Sequence, residues 1–118
     1  MRLKGTAAVL VVAAGSVVAA GFGGGTKVTL ATKPPLTVRA GTTWTALVNI
    51  SRGGRRLDGF RPVIEIQDAQ GRERFSGIQI APGVYRIRVV FPRLGEWHYR
   101  LHAGRTSGMR GGLRVVPG

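Results

Sequence analysis

The chain contains no cysteine. No disulfide can staple its fold and no thiolate can hold a metal. Acidic side chains are scarce as well: five Asp+Glu stand against 18 Lys+Arg in 118 residues, a formal charge of +13. So few carboxylates argue against paired-acid chemistry, which needs two of them converging on one bond. Asp58, Glu65, Asp68, Glu73 and Glu96 all fall in or beside turns or at outward strand positions. The only histidines are His98 and His102. Ser51, Ser76 and Ser107 sit in no G-x-S-x-G elbow, and no carboxylate stands ready to orient either histidine. The glycine clusters Gly21–Gly25 and Arg110–Gly112 lack the lysine and the strand-to-helix setting of a phosphate loop. These absences point to a non-catalytic protein with no cofactor and no small-molecule substrate.

Helical periodicity is missing beyond the first twenty residues, and no repeat of solenoid length is visible. The start of the chain is different. Met1-Arg2-Leu3-Lys4 is a short positive head, Thr6 to Ala20 is uncharged and rich in Ala and Val, and Val18-Ala19-Ala20 offers small residues for a signal peptidase. Those are the three parts of a secretory signal, so residues 1–20 read as a helical signal peptide cleaved after Ala20. A retained anchor would need about 20 apolar residues, and this run is shorter and ends in glycines. Removing Arg2 and Lys4 leaves 16 basic and 5 acidic residues, a formal +11. The expected location is outside the cytoplasm, secreted or in the cell envelope. Residues 21–25 form a glycine-rich lead-in, and residues 26–118 the one folded domain.

The domain reads as short strands separated by turn signals. Lys27–Ala31 is the first, broken by Pro34-Pro35, with Leu36–Arg39 an edge continuation. In Thr43–Ser51, Trp44, Ala46, Val48 and Ile50 share one face. Pro62–Asp68 turns Ile64 and Ile66 inward, Asp68-Ala69-Gln70-Gly71 is a turn, and Arg74–Ile80 holds a strand interrupted at Gly77. Pro82–Leu101 reads as two neighbouring strands joined by a short turn at Pro92–Gly95. Tyr85, Ile87, Val89 and Phe91 alternate inward on the first; Trp97, Tyr99 and Leu101 do so on the second. Gly104–Gly112 reads as a polar loop, and Leu113–Val116 closes the domain with Leu113 and Val115 inward. About seven such strands predict an all-β, antiparallel, immunoglobulin-like β-sandwich.

The Trp44 strand, the segment GGRRLDGFRPVIEIQDAQGR and the segment PGVYRIRVVFPRLGEW together resemble the YtkA-like and FixH-like group of small exported domains. The strongest local match is P-G-x-Y, an alternating strand, F-P, then G-x-W, and the similarity covers roughly residues 26–117. The resemblance implies an immunoglobulin-like fold and an extracytoplasmic location. Some relatives sit near copper handling or cytochrome oxidase assembly, which makes an envelope accessory of that kind the alternative function. Copper sites favour Cys or Met beside His, and here only Met109 outlasts removal of Met1. His98 and His102 lie about 13 Å apart along one strand, too far to share an ion.

The remaining candidate is a basic surface. Arg86 and Arg88 leave one strand on its outward side; His98, Arg100 and His102 leave the next; Arg114 leaves the last. These six form the predicted site for an anionic polymer, a lipid surface or an envelope protein. The aromatics fall on the opposite parity, so the stacking platform of single-strand nucleic-acid binders is missing. Acidification through the histidine range, near pH ~6.5, is expected to add charge at His98 and His102.

Overall fold

The structure is a computed structural model and describes residues 25–118. The expected signal peptide and all but the last residue of the glycine lead-in lie outside the described residues. The domain is a two-sheet β-sandwich of ten strands: β1 (Thr26–Leu30), β2 (Thr37–Arg39), β3 (Thr43–Arg52), β4 (Arg55–Arg56), β5 (Pro62–Gln67), β6 (Arg72–Ser76), β7 (Ile78–Ala81), β8 (Val84–Val90), β9 (Gly95–Ala103) and β10 (Thr106–Val116). One sheet runs β2-β10-β9-β5-β6 and the other β1-β3-β8-β7, with β4 folded back on β3. These orders match the two sheets of an immunoglobulin variable-type domain, GFCC′ and ABED. All pairings are antiparallel except β2 with β10, which is parallel.

Alternation sets the core. Trp44, Ala46, Val48 and Ile50 of β3, Ile64 and Ile66 of β5, Tyr85, Ile87 and Val89 of β8, and Trp97, Tyr99 and Leu101 of β9 are all buried between the sheets. Phe91, just past β8, and Leu113 and Val115 of β10 join them. Four aromatics make one cluster across the layers: Phe91 meets Trp97 edge to face at 5.6 Å and stacks on Trp44 at 6.5 Å, and Trp44 in turn meets Tyr99.

Three expectations need correction. The first is the reading of Pro82–Leu101 as neighbouring strands joined by a short turn. β8 belongs to one sheet and β9 to the other, so Pro92–Leu94 is an arch over the core instead of a turn between paired strands. Alternation is the same for a hairpin and an arch, because both need one buried face; only the partner differs. The Trp97 indole N–H donates to the Arg93 carbonyl at 3.0 Å, which fixes the arch.

The second is the single strand across Gly77. β6 and β7 lie in different sheets, and Gly77 is the corner where the chain passes between them. A Cβ there would stand 2.8 Å from Ile87 Cγ1, so the corner has room only for glycine.

The third is the loop at Gly104–Gly112. It is a hairpin turn followed by most of β10. Gly104 takes the turn with φ +59°, while Gly108 and Gly111 lie within the strand because other groups crowd them. A Cβ at Gly108 would reach within 2.7 Å of the Leu101 carbonyl oxygen, and one at Gly111 within 2.6 Å of the Tyr99 hydroxyl. Met109 between them is part of the core.

The P-G-x-Y stretch also has a physical role. Gly83 (φ +69°) packs on Arg56, and its N–H donates to Asp58 Oδ1 at 2.9 Å. The buried Tyr85 hydroxyl donates to the Leu57 carbonyl at 2.7 Å and accepts from the Phe60 N–H at 3.2 Å. The motif thus holds the Leu57–Arg61 connection that carries the chain from one sheet to the other.

Candidate functional site

Strand parity fixes which side chains reach solvent, and sheet membership fixes which of them meet. The six predicted cations divide. Arg86 and Arg88 project from the outer face of the β1-β3-β8-β7 sheet. His98, Arg100, His102 and Arg114 project from the outer face of the β2-β10-β9-β5-β6 sheet, on the opposite side of the sandwich. A single six-residue surface is therefore not formed. Each of the six occupies an outward strand position, and the division follows from the arch, which puts β8 and β9 back to back.

The second of these faces gathers further arginines. In register with Glu65 and Gln67 of β5 stand Arg74 and Arg72 of β6. Arg110 lies opposite Arg100, and Arg39 opposite Val116. The face thus carries Arg39, Arg72, Arg74, Arg100, Arg110 and Arg114 against two acids, Glu65 and Glu96. The Asp68–Gly71 turn signal could have revealed Arg72 and Arg74, since a tight turn makes β5 and β6 a hairpin with predictable parity. Arg110 is not legible in the same way, because its glycine-rich strand has the composition of a loop.

Over the middle of this face lies a groove of about 370 Å³ lined by Glu65, Gln67, Arg72, His98, Arg100 and Arg110, with the backbone of Gly111 at its floor. Gly112, in register with His98, puts no side chain on this face beside it, whereas a Cβ at Gly111 would point inward to Tyr99. Glu65 is the single acid in the lining: it accepts from Arg100 Nη2 at 2.8 Å and lies 3.7 Å from Arg72. Arg114 pairs with Glu96 at the end of the strands. His102 is half-buried, and burial, helped by Arg100 and Arg74, pushes its pKa below the ordinary histidine value. Its charge therefore arrives at lower pH than for a free histidine, which weakens it as a pH-sensitive contact.

The carboxylates are committed one by one. Asp58 accepts from Gly83 N–H and from Gln79 Nε2, the latter at 2.6 Å. Asp68 holds Arg93, and its pKa falls to about 2 through that guanidinium and the N–H groups of Gln70 and Gly71. Glu65 and Glu96 are paired as described. Among the described residues no group of three or more His, Asp or Glu side chains could share a metal ion. Met109, the one soft ligand the sequence offered for copper there, is buried in the core.

No family model matches this chain, and no curated protein matches it either. Among solved structures it is similar to a Bacteroides vulgatus protein assigned provisionally as a glycoside hydrolase, with a TM-score of 0.57 and 21% sequence identity. That match covers 71% of this chain and 17% of the other. At this identity the likeness shows the sandwich fold.

Proposed function

We propose that this protein is an exported, non-catalytic binding module that contacts an anionic component of the cell envelope through the β2-β10-β9-β5-β6 face. The observation that carries this reading is six arginines against two glutamates on one sheet face, three of them, Arg72, Arg100 and Arg110, lining one groove. Guanidinium groups match carboxylate, sulfate and phosphate oxygens in two-pronged geometry, so the groove suits a polymer bearing such groups. The engagement of four of the five acids in ion pairs or backbone contacts favours binding over acid–base chemistry. Export rests on the positive head, apolar run and Val18-Ala19-Ala20 of the sequence. The YtkA-like resemblance agrees with an envelope location.

The test compares two sets of neutralised arginines of equal charge. Arg72→Gln, Arg100→Gln and Arg110→Gln together should weaken binding to polygalacturonate and to polyphosphate far more than Arg55→Gln, Arg56→Gln and Arg61→Gln. Binding should also fall steeply with salt, because exposed charges are screened beyond about 8 Å at physiological ionic strength. Equal losses from both triple variants would reduce the effect to net charge and sink the reading. Intact-mass measurement of the exported protein should give a chain beginning at Gly21.

A further inference from the structure

The other side of the molecule carries an independent feature. Where the chain turns from β6 into β7, the two sheets part and leave a groove of about 350 Å³. Its lining is Arg74, Phe75, Ser76, Ile78, Arg86 and Arg88, with no acid. Arg86 and Arg88 stand two residues apart on one strand face, about 7 Å along β8. Arg74 approaches from the edge of the opposite sheet. Among the described residues none of the three has a carboxylate within 4.0 Å. In contrast, Arg72, Arg93, Arg100 and Arg114 each have one. Three cations brought together without an acid repel one another, and an anion placed among them removes that cost.

The surroundings of the groove are apolar instead of charged. Ile78 is 58% exposed, Val90 on the same outer face is 49% exposed, and Ile80 in the bulge of β7 is 46% exposed. The outer face of this sheet has Lys27, Arg86 and Arg88 and no acid in register with them. Large aliphatic side chains in water beside unpaired arginines match a surface that is apolar below and anionic above.

We propose that this side of the sandwich is a phospholipid-contacting surface: a headgroup phosphate sits among Arg74, Arg86 and Arg88, and Ile78, Ile80 and Val90 enter the headgroup–acyl boundary. The doubly forked guanidinium pair on β8 suits a phosphate oxygen set, and the neighbouring isoleucines supply the apolar term that a soluble phosphate would not use. Arg74, on the edge strand β6, is shared with the opposite face, so the test rests on Arg86 and Arg88, which belong to this side alone.

The experiment is vesicle cosedimentation with the protein as recovered from cells, wild type and variants prepared alike. Vesicles of phosphatidylcholine are compared with the same vesicles containing phosphatidylglycerol, and inorganic phosphate is titrated separately while the arginine Nε–H resonances are followed. Arg86→Gln with Arg88→Gln should lower partition onto the anionic vesicles by about 30-fold, taking each arginine at the usual worth of a basic residue near an anionic bilayer. Ile78→Ser with Ile80→Ser should lower the partition that persists at high salt while leaving the phosphate titration unchanged. Arg100→Gln with Arg110→Gln should leave vesicle binding nearly intact. These positions are exposed except Arg86, which is partly buried, and unchanged thermal melts certify that each variant folds. Phosphate shifts at Arg86 and Arg88 without vesicle binding would overturn the lipid assignment in favour of a soluble phosphate or phosphodiester. Vesicle binding that follows Arg100 and Arg110, or that ignores the isoleucines, would overturn the surface itself.

Discussion

Trp44 on β3 and Tyr99 on β9 meet edge to face across the two sheets, with ring centroids 5.2 Å apart and planes at 64°. β3 and β9 correspond to the B and F strands, which antibody domains join by a disulfide. This chain has no cysteine, and an aromatic contact ties the same two strands. Burial raises the pKa of the Tyr99 hydroxyl, in keeping with its place at the edge of the core. Trp44→Ala should therefore cost about 3–5 kcal/mol, the range for a large aromatic removed from a packed interior. Arg100→Ala, one residue along β9 from Tyr99 but on the outer face, should cost under about 1 kcal/mol because its pair with Glu65 is partly exposed. Denaturant melts giving equal losses would contradict the parity of β9.

A second tie joins the β5–β6 turn to the arch. Arg93 donates from Nε to Asp68 Oδ2 at 2.9 Å and from Nη2 to Oδ1 at 2.8 Å, and its guanidinium lies 5.2 Å from the centre of the Trp97 ring. Asp68 titrates at about 2 in the folded protein and near the ordinary ~3.9 when unfolded. A depressed carboxyl pKa contributes stability that is fully present above the unfolded value and is lost as pH falls through the folded one. The melting temperature of the wild type should thus drop between about pH 4 and pH 2 more steeply than that of Asp68→Asn. Parallel slopes for the two proteins would show that the clasp contributes nothing.

Glycines of β10 differ in what surrounds them, and that difference predicts unequal costs. Gly108→Ala would place a methyl 2.7 Å from the backbone oxygen of Leu101, which cannot move without disturbing the hairpin. A loss of about 1–3 kcal/mol is expected, the usual cost of overpacking. At Gly112 the nearest atom to a new Cβ is 3.5 Å away, an ordinary contact, so Gly112→Ala should be close to neutral. Thermal melts of the two variants check the pair.

These glycines also mark the limit of what could be read from the chain. The inward sets of β3, β5, β8 and β9 were legible because period-two alternation records which face is buried. Nothing in that alternation records the partner strand, so the arch at Pro92–Leu94 resembled a hairpin. A run such as Ser107-Gly108-Met109-Arg110-Gly111-Gly112 has the composition of a loop, and only the crowding by Leu101 and Tyr99 explains it as a strand. The candidate site inherited both errors. Arg86 and Arg88 were grouped with Arg100, from which the core separates them, while Arg110 was left out of the face it helps to form.

Glu65 gives the sharpest test of the glycine-floored groove. It is the single acid in the lining, with its side chain only 13% exposed, and it holds Arg100 and lies near Arg72. An anionic polymer entering the groove meets the same two guanidiniums and is repelled by the carboxylate. Glu65→Gln removes the competitor and keeps the shape of the side chain. If the groove is the binding site, this variant should bind polygalacturonate about fivefold more tightly, on the order of what one surface charge is worth at an anionic surface. The salt dependence should also steepen, because one more uncompensated cation faces the polymer. Stability should change little, since Arg100 and Arg72 are themselves exposed and solvent takes over their hydrogen bonds. The matching control is Glu96→Gln, which frees Arg114 at the end of the strands, outside the groove. An equal gain from both variants would assign binding to the face as a whole, and no gain from either would place the polymer elsewhere on the molecule.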